Sequence, residues 1–254
     1  MNAITRFLIF VSSLLAAPLL SIAQADFAPI GAKWYYDWHG HDYNPVTSIA
    51  TGTDGYMLQE SVADTPIHGI TARKLQQTVF ARSTTDNSIY SMPYGNMYVY
   101  ATNDTIWYYN RSLDRFLLLY AFNVQVGDTL KHRAPPELTN SSDTTWKMIV
   151  NAVTTENYNG QTVKSVHVNV PLGMQDGEML KGPYYQYFGQ TEGRMGEYAW
   201  SYLEEEDYDE FTLRCYQDAT FDVHFGNVAI ACDSIKMLPT SVEDVDYLSA
   251  KLSV

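Results

Sequence analysis

The chain has 254 residues, with 29 acidic and 16 basic side chains and a formal net charge of −13 at pH 7. Nucleic acids and anionic membrane surfaces attract basic patches, so this charge balance argues against both as partners and is typical of a protein kept soluble by its charge. The length accommodates one large all-β domain or two small ones.

Residues 1–23 predict a cleavable secretory signal. Arg6 supplies a short cationic start, residues 7–20 are apolar, and Ser21–Ala23 provides small residues before Gln24. We therefore expect an exported protein, either secreted or held at the cell surface, whose mature chain begins near Gln24. No later apolar stretch reaches the roughly 18 residues that a membrane helix needs, so no membrane span is expected in the mature chain.

The first predicted element of the mature chain is the aromatic and polar cluster over residues 34–43. We favour a core strand whose aromatic side chains pack inward, followed by a loop over His39–Asp42, and on this interpretation no cofactor is expected. In the alternative, His39 and His41 point to the same side of a strand and share a metal ion with a third ligand from elsewhere in the chain.

Turn residues divide the next part of the chain into short strands. Asp54-Gly55 predicts a turn, and Ser112–Arg115 predicts another before the apolar run Phe116–Phe122. Asn103-Asp104 and Asn159-Gly160 predict tight hairpins, because Asn, Asp and Gly tolerate the positive φ that two-residue turns require. These hairpins join Met97–Thr102 to Thr105–Tyr109, and Lys147–Val153 to Thr162–Val168.

The short connections make successive strands antiparallel neighbours. The predicted fold class is therefore all-β, an antiparallel meander over residues 24–238 that forms a sandwich or a strongly curved open sheet. Phe116–Phe122 lacks alternation and is interpreted as a strand covered on both faces at the centre of the core. Residues 239–254 are polar and unpatterned, which is typical of a linker or tail.

Two cysteines, Cys215 and Cys232, lie beyond the leader. An even number of cysteines in an exported chain favours a disulfide bond, and we predict a Cys215–Cys232 bridge. Two buried thiols are the alternative. A metal site is less favoured, because neither a CxxC spacing nor a nearby histidine pair accompanies the cysteines.

The chain is rich in aromatic residues, with 20 tyrosines and five tryptophans. Amphipathic rings suit binding surfaces, including surfaces that stack on sugars, but they also fill the cores of broad sheets. We interpret four alternating rings as core: Tyr98, Tyr100, Trp107 and Tyr109. The candidate ligand contacts, for a glycan or another surface component, are Trp34, Trp38, Tyr184, Tyr185 and Tyr187.

Several short motifs resemble a known group of exported proteins. They are Phe27–Tyr36, Asp64-Thr65 with Lys74-Leu75, Leu119–Phe122 with Val126–Thr129, Glu192-Gly193, and Leu213–Tyr216 with Cys232-Asp233. Together they resemble the N-terminal region of secreted Bacteroidetes proteins that carry a C-terminal type IX secretion sorting domain. The resemblance spans most of the mature chain and implies export to the cell surface or the medium more than it implies an activity.

In proteins of that group, a segment like Thr240–Asp244 commonly links to the sorting domain, which opens with a Tyr-Pro-Asn-Pro type motif. This chain ends at Val254, where such a motif is expected. The resemblance therefore leaves two expectations, a chain truncated before its sorting domain or a protein exported by another route.

The sequence contains no GxSxG, HExxH, phosphate-loop or dinucleotide-binding motif. We therefore expect a non-catalytic exported module with a binding or structural role. One alternative is a carrier that encloses an apolar ligand within a curved sheet. The other is a carbohydrate-active hydrolase, which needs two facing carboxylates, and Glu192 and Glu197 are the candidates.

Overall fold

The computed structural model describes residues 27–44, 49–83, 86–133, 145–169, 183–191, 195, 210–225 and 230–235. These residues form thirteen β-strands and contain no helix. The strands are β1 (Lys33–Asn44), β2 (Ile49–Ile67), β3 (Ile70–Ser83), β4 (Ile89–Thr102), β5 (Thr105–Asn110), β6 (Arg115–Ala121), β7 (Thr129–Arg133), β8 (Thr145–Tyr158), β9 (Gln161–Asn169), β10 (Tyr184–Tyr185), β11 (Gly189–Gln190), β12 (Glu210–Gln217) and β13 (Asp222–His224).

The strands form two antiparallel sheets, and the predicted all-β class with a strongly curved sheet is confirmed. The larger sheet is a half-barrel of eight strands in the order β13-β12-β1-β2-β3-β4-β5-β6, and the smaller has five in the order β11-β10-β9-β8-β7. The run from β1 to β6 is a meander, because each connection is too short to cross over a neighbouring strand.

Three of the predicted turns are confirmed. Asn159-Gly160 joins β8 to β9 with φ values of 50° and 85°, and Asn103-Asp104 joins β4 to β5 with φ values of 50° and 55°. The third turn, predicted at Ser112–Arg115, connects β5 to β6 and has Asp114 at a φ of 50°. Residues with short polar side chains or none occupy this left-handed region at little steric cost, which is why the sequence predicts these turns well.

The turn predicted at Asp54-Gly55 is wrong, because both residues lie inside β2. Gly55 pairs with Ala81 on β3, and a Cβ on Gly55 would lie 2.1 Å from the carbonyl oxygen of Phe80. This glycine therefore permits close approach of two backbones rather than a turn. The hairpin between β2 and β3 turns instead at His68-Gly69, where φ is 50° and 77°.

Both sheets contribute to one aromatic core. Tyr120 on β6 stacks on Tyr184 on β10 with ring centroids 5.0 Å apart, and the Tyr184 hydroxyl donates a 2.8 Å hydrogen bond to the carbonyl of Ala121. Trp34 on β1 packs against Tyr216 on β12 at 5.1 Å. Burial raises the pKa of Tyr184, so its hydroxyl remains a neutral donor that ties the two sheets together.

The second half of the apolar run Phe116–Phe122 lies in the shared core, as predicted. The run forms most of β6, which is the edge strand of the larger sheet. Leu119 and Tyr120 are nevertheless almost fully buried, because the smaller sheet packs against this end of the strand. The absence of alternation in this part of the run therefore reflects a strand that the second sheet covers.

The predicted Cys215–Cys232 disulfide is confirmed, with Cα atoms 5.7 Å apart. It ties β12 to the segment 230–235. Closing a loop of this size with a disulfide is worth about 3 kcal/mol of stability in the chain-entropy account.

The predicted leader and the predicted tail over residues 239–254 lie outside the described residues. In the described part of the chain, no helix has the length and apolar character needed to cross a membrane.

Candidate functional site

The most distinctive surface is a row of aromatic rings on the outer side of β4, β5 and β6. Alternate residues of a strand point to opposite faces, and here Val99 and Ile106 point into the core. The aromatic residues that alternate with Val99 and Ile106 on β4 and β5, and Phe116 opposite Tyr109 on β6, point outward and are half-buried. We call this surface the aromatic face, and its members are Tyr98, Tyr100, Trp107, Tyr109 and Phe116.

Four rings of the aromatic face support one another across the strands. Tyr100 lies opposite Trp107, and their rings are nearly parallel, at 12°, with centroids 6.2 Å apart. Phe116 packs edge-on against Tyr100 at 4.7 Å and in a tilted arrangement against Tyr109 at 5.4 Å. Rings held by such contacts are already ordered, so a ligand that stacks on them loses little side-chain entropy.

A polar cluster borders the aromatic face where the β2–β3 and β5–β6 turns meet. The Tyr109 hydroxyl donates a hydrogen bond to Oδ1 of Asp114, and Nε2 of His68 lies 2.9 Å from the same oxygen. The bonds from Tyr109 and then His68 lower the pKa of the Asp114 carboxyl. The Arg111 guanidinium lies 5.5 Å from the centre of the Tyr98 ring. Aromatic surface and fixed polar groups thus meet at one border.

A hollow of about 400 Å³ lies beside the aromatic face, between β6 and β7. Trp107 lines this hollow, and its indole Nε1 is buried and has no hydrogen-bond partner among the described residues. Buried donors are usually satisfied, so the unpaired indole of Trp107 is an exception at the edge of this hollow. The lining consists of Trp107, Phe116, Leu117, Leu118, Thr129, Leu130 and Lys131.

His132 is buried on β7, the strand that forms one side of this hollow, and it predicts a pH dependence of stability. Burial lowers the pKa of His132 to about 4, against the opposing effect of a hydrogen bond with the Leu118 backbone. In the unfolded chain the His132 imidazole is protonated below about pH 6.5, whereas in the folded chain it stays neutral down to about pH 4. Stability should therefore fall as the pH falls through this window, by up to about 3 kcal/mol.

Urea unfolding at pH 7.5, 6, 5 and 4.5 measures this effect, and His132→Phe is the matched variant. We expect the variant to be less sensitive to pH than the natural chain over this range. Equal slopes of unfolding free energy against pH in the two proteins would contradict the assignment.

The residues predicted as ligand contacts lie mostly in the core. Trp34, Trp38, Tyr184 and Tyr185 are at most 9% exposed, so they offer no accessible face. Tyr187 is half-buried and accepts a 2.8 Å hydrogen bond from Nε2 of Gln161. The tight β10–β11 hairpin inserts Tyr184 and Tyr185 between the sheets, which is why these two candidate contacts are part of the core.

The rings predicted as core are the ones that face outward. Tyr98, Tyr100, Trp107 and Tyr109 do share one face, as their alternation predicted, but it is the face opposite the core. The sequence did contain a signal for the buried face. The positions that alternate with these rings include the aliphatic residues Val99 and Ile106, which fill the interior.

The histidine pair of the alternative metal interpretation lies in β1, so the predicted loop over His39–Asp42 is wrong. Nδ1 of His39 lies 2.6 Å from Oδ1 of Asp54 on β2. The side chain of His41 lies outside the described part of the structure. A different histidine, His224, lies beside the disulfide, and its cross-strand pairing with Cys215 was not recognised in the sequence.

The fold and this surface define an all-β protein with two packed sheets and an outward-facing aromatic row. No protein-family model, curated protein or solved structure matches the chain. Function is therefore inferred from the geometry of the aromatic face and its polar border.

Proposed function

We propose that this protein is an exported, non-catalytic module that binds glycan chains on its aromatic face. The observation that carries the proposal is the row of five rings turned away from the core, four of which are joined by ring contacts. The weakly positive C–H bonds on the flat side of a sugar ring match the negative face of an aromatic ring, so such rings stack on sugars.

The polar border supports a glycan over a purely apolar partner. Sugar hydroxyls lose hydrogen bonds to water on binding and need replacements, or binding is penalised by about 1–3 kcal/mol for each unmatched group. Asp114 supplies an acceptor, while Arg111 supplies donors next to the rings. A sugar stacked on Tyr109 or Tyr98 would have these groups within reach of its rim.

The charge of the chain supports a neutral ligand. A formal net charge of −13 repels nucleic acids and anionic surfaces over a distance set by ionic strength. Neutral polysaccharides carry no such penalty. The predicted leader adds the expectation that the module meets extracellular glycans, and the resemblance to the sorting-domain proteins points to the same compartment.

The hollow beside β6 favours a second candidate, a small apolar ligand. Its volume of about 400 Å³ lies within the usual range for ligand sites, and three leucines contribute to its lining. A carrier that encloses its ligand inside the curved sheet is less well supported, because the described interior is packed with side chains such as Tyr120 and Tyr184. The hydrolase candidates Glu192 and Glu197 lie outside the described residues.

Titration of the mature chain with a panel of soluble neutral polysaccharides, followed by affinity electrophoresis and calorimetry, tests the proposal. We expect Trp107→Ala to weaken binding about 10-fold or more, as for a central aromatic anchor, because it removes the ring that joins the aromatic face to the hollow. Tyr100→Phe, which keeps the ring, should bind like the natural chain.

Tyr187→Ala is the matched control, since it removes a half-buried ring that lies off the aromatic face. The proposal fails if no polysaccharide binds, or if Tyr187→Ala weakens binding as much as Trp107→Ala does. Binding of a fatty acid or a hydrophobic dye in the absence of glycan binding would select the second candidate instead.

A further inference from the structure

The disulfide has a third potential metal ligand beside it. Nδ1 of His224 lies 3.4 Å from Sγ of Cys215, and Nε2 of His224 lies 3.5 Å from Sγ of Cys232. All three ligand atoms lie within 4.8 Å of one another. Two sulfurs and one imidazole nitrogen are a donor set that zinc favours when the sulfurs are thiolates.

The topology of the larger sheet holds Cys215 and His224 together. They are directly paired across β12 and β13. A bulge in β12 skips Arg214 in the pairing with β1, so Leu213 and Tyr216 enter the core while Cys215 faces the outer side. Bulges commonly redirect side chains in this way.

A separate set of contacts holds Cys232 in place. The Arg214 guanidinium donates hydrogen bonds to the carbonyls of Ala231 at 3.3 Å, Cys232 at 3.1 Å and Ser234 at 2.6 Å. It also pairs with the carboxylate of Asp37 on β1. Because none of these contacts involves sulfur, the segment 230–235 has a means of staying docked when the Cys215–Cys232 bond is broken.

We propose that Cys215, Cys232 and His224 form a redox-gated zinc site. In the oxidised chain the two sulfurs form a disulfide bond that links β12 to the segment 230–235. In the reduced chain the two thiolates and the His224 imidazole bind one Zn²⁺, and water occupies the fourth position. The site is independent of the aromatic face and of its proposed glycan ligand.

The observed spacing needs little change to accept the ion. Around a tetrahedral zinc, a thiolate sulfur and an imidazole nitrogen lie about 3.5 Å apart, and two sulfurs lie about 3.8 Å apart. The distances from Nδ1 of His224 to the two sulfurs are 3.4 and 3.8 Å. Separation of the sulfurs after reduction is therefore the main movement required, and Cys232 lies on a segment outside the strands.

A dithiol reductant converts the disulfide into the two thiols that the zinc site needs. The reductant gives two electrons and two protons to the Cys215–Cys232 bond, which yields two protein thiols and the oxidised cyclic disulfide of the reductant. Binding of Zn²⁺ then releases both thiol protons to water. A disulfide oxidant reverses the first step and expels the ion.

Cobalt titration of the whole chain tests the site, because Co²⁺ bound to thiolates gives a charge-transfer band and tetrahedral visible bands that Zn²⁺ abolishes by competition. After reduction by a phosphine, we expect one Co²⁺ per chain with both signals, and no signal from the oxidised chain. His224→Ala should weaken the binding by more than about 10-fold. Cys232→Ser should lose about half of the charge-transfer intensity at saturating Co²⁺, because one of the two thiolates remains.

His39→Ala is the matched control, because His39 pairs with Asp54 away from the disulfide and its loss should leave cobalt binding unchanged. Near-UV circular dichroism of the reduced chain must retain the folded signal. The proposal is overturned by unfolding on reduction, by absence of the thiolate band, or by equal cobalt affinity in His224→Ala and the natural chain.

Discussion

Replacement of Arg214 by methionine should lower the free energy of unfolding by about 3–5 kcal/mol, since it breaks a buried ionic network by removing one partner. Arg214 is 4% exposed and is the donor for Asp37 and for the carbonyls of Ala231, Cys232 and Ser234. Methionine fills the space but donates nothing, so a carboxylate and three carbonyls lose their partner together. Urea unfolding with the disulfide intact measures the change.

The matched control is Lys33→Met, which removes one member of an exposed pair with Glu60 at 3.7 Å. Exposed pairs contribute about 0–1 kcal/mol, so the control should unfold close to the natural chain. If the two variants had similar unfolding midpoints, Arg214 would not be the group that docks the segment 230–235.

Replacement of Gly55 by alanine should destabilise the protein by about 3 kcal/mol or more, as severe overpacking does. The added Cβ would lie 2.1 Å from the carbonyl oxygen of Phe80 and 2.8 Å from the Cα of Ala81. Both are backbone atoms, so β2 and β3 must separate at the centre of the larger sheet to accommodate the methyl group.

Gly160→Ala is the comparison for this effect, because Gly160 has a φ of 85° and no described neighbour lies within 4 Å of the position that a Cβ would take. It should lose only about 1 kcal/mol, from backbone strain alone. Soluble yield and the urea midpoint report both variants. A Gly55→Ala protein as stable as Gly160→Ala would contradict the close approach of β2 and β3.

The sequence allowed prediction of the fold class and of the turns whose chemistry is local. Asn159-Gly160 and Asn103-Asp104 adopt positive φ for reasons contained in the residues themselves. Asp54-Gly55 carries an equally strong local signal but lies within β2, where the need for close strand contact decides the conformation. His68-Gly69 forms the actual turn, and histidine is, like Asn and Asp, enriched among non-glycine residues at positive φ, a signal that the prediction did not use.

The candidate site was less predictable, because strand alternation identifies which residues share a face but not which face is buried. Tyr98, Tyr100, Trp107 and Tyr109 were correctly grouped and assigned to the wrong side of the sheet. Which face of the larger sheet is buried depends on the position of the smaller sheet. The smaller sheet packs on the face opposite these rings, through residues distant in sequence. The environment of Cys215 depends in the same way on non-local pairing, with His224 brought opposite it by the β12–β13 ladder.

Oxidative footprinting of aromatic side chains, with and without the tightest polysaccharide from the binding screen, tests the central claim most directly. Protection on ligand binding should fall on residues of the aromatic face, above all Tyr100 and Trp107. Tyr184 and Tyr187 should show equal reactivity in both states. Protection confined to Tyr187 and its neighbours, or no change at Trp107 under saturating ligand, would contradict the account.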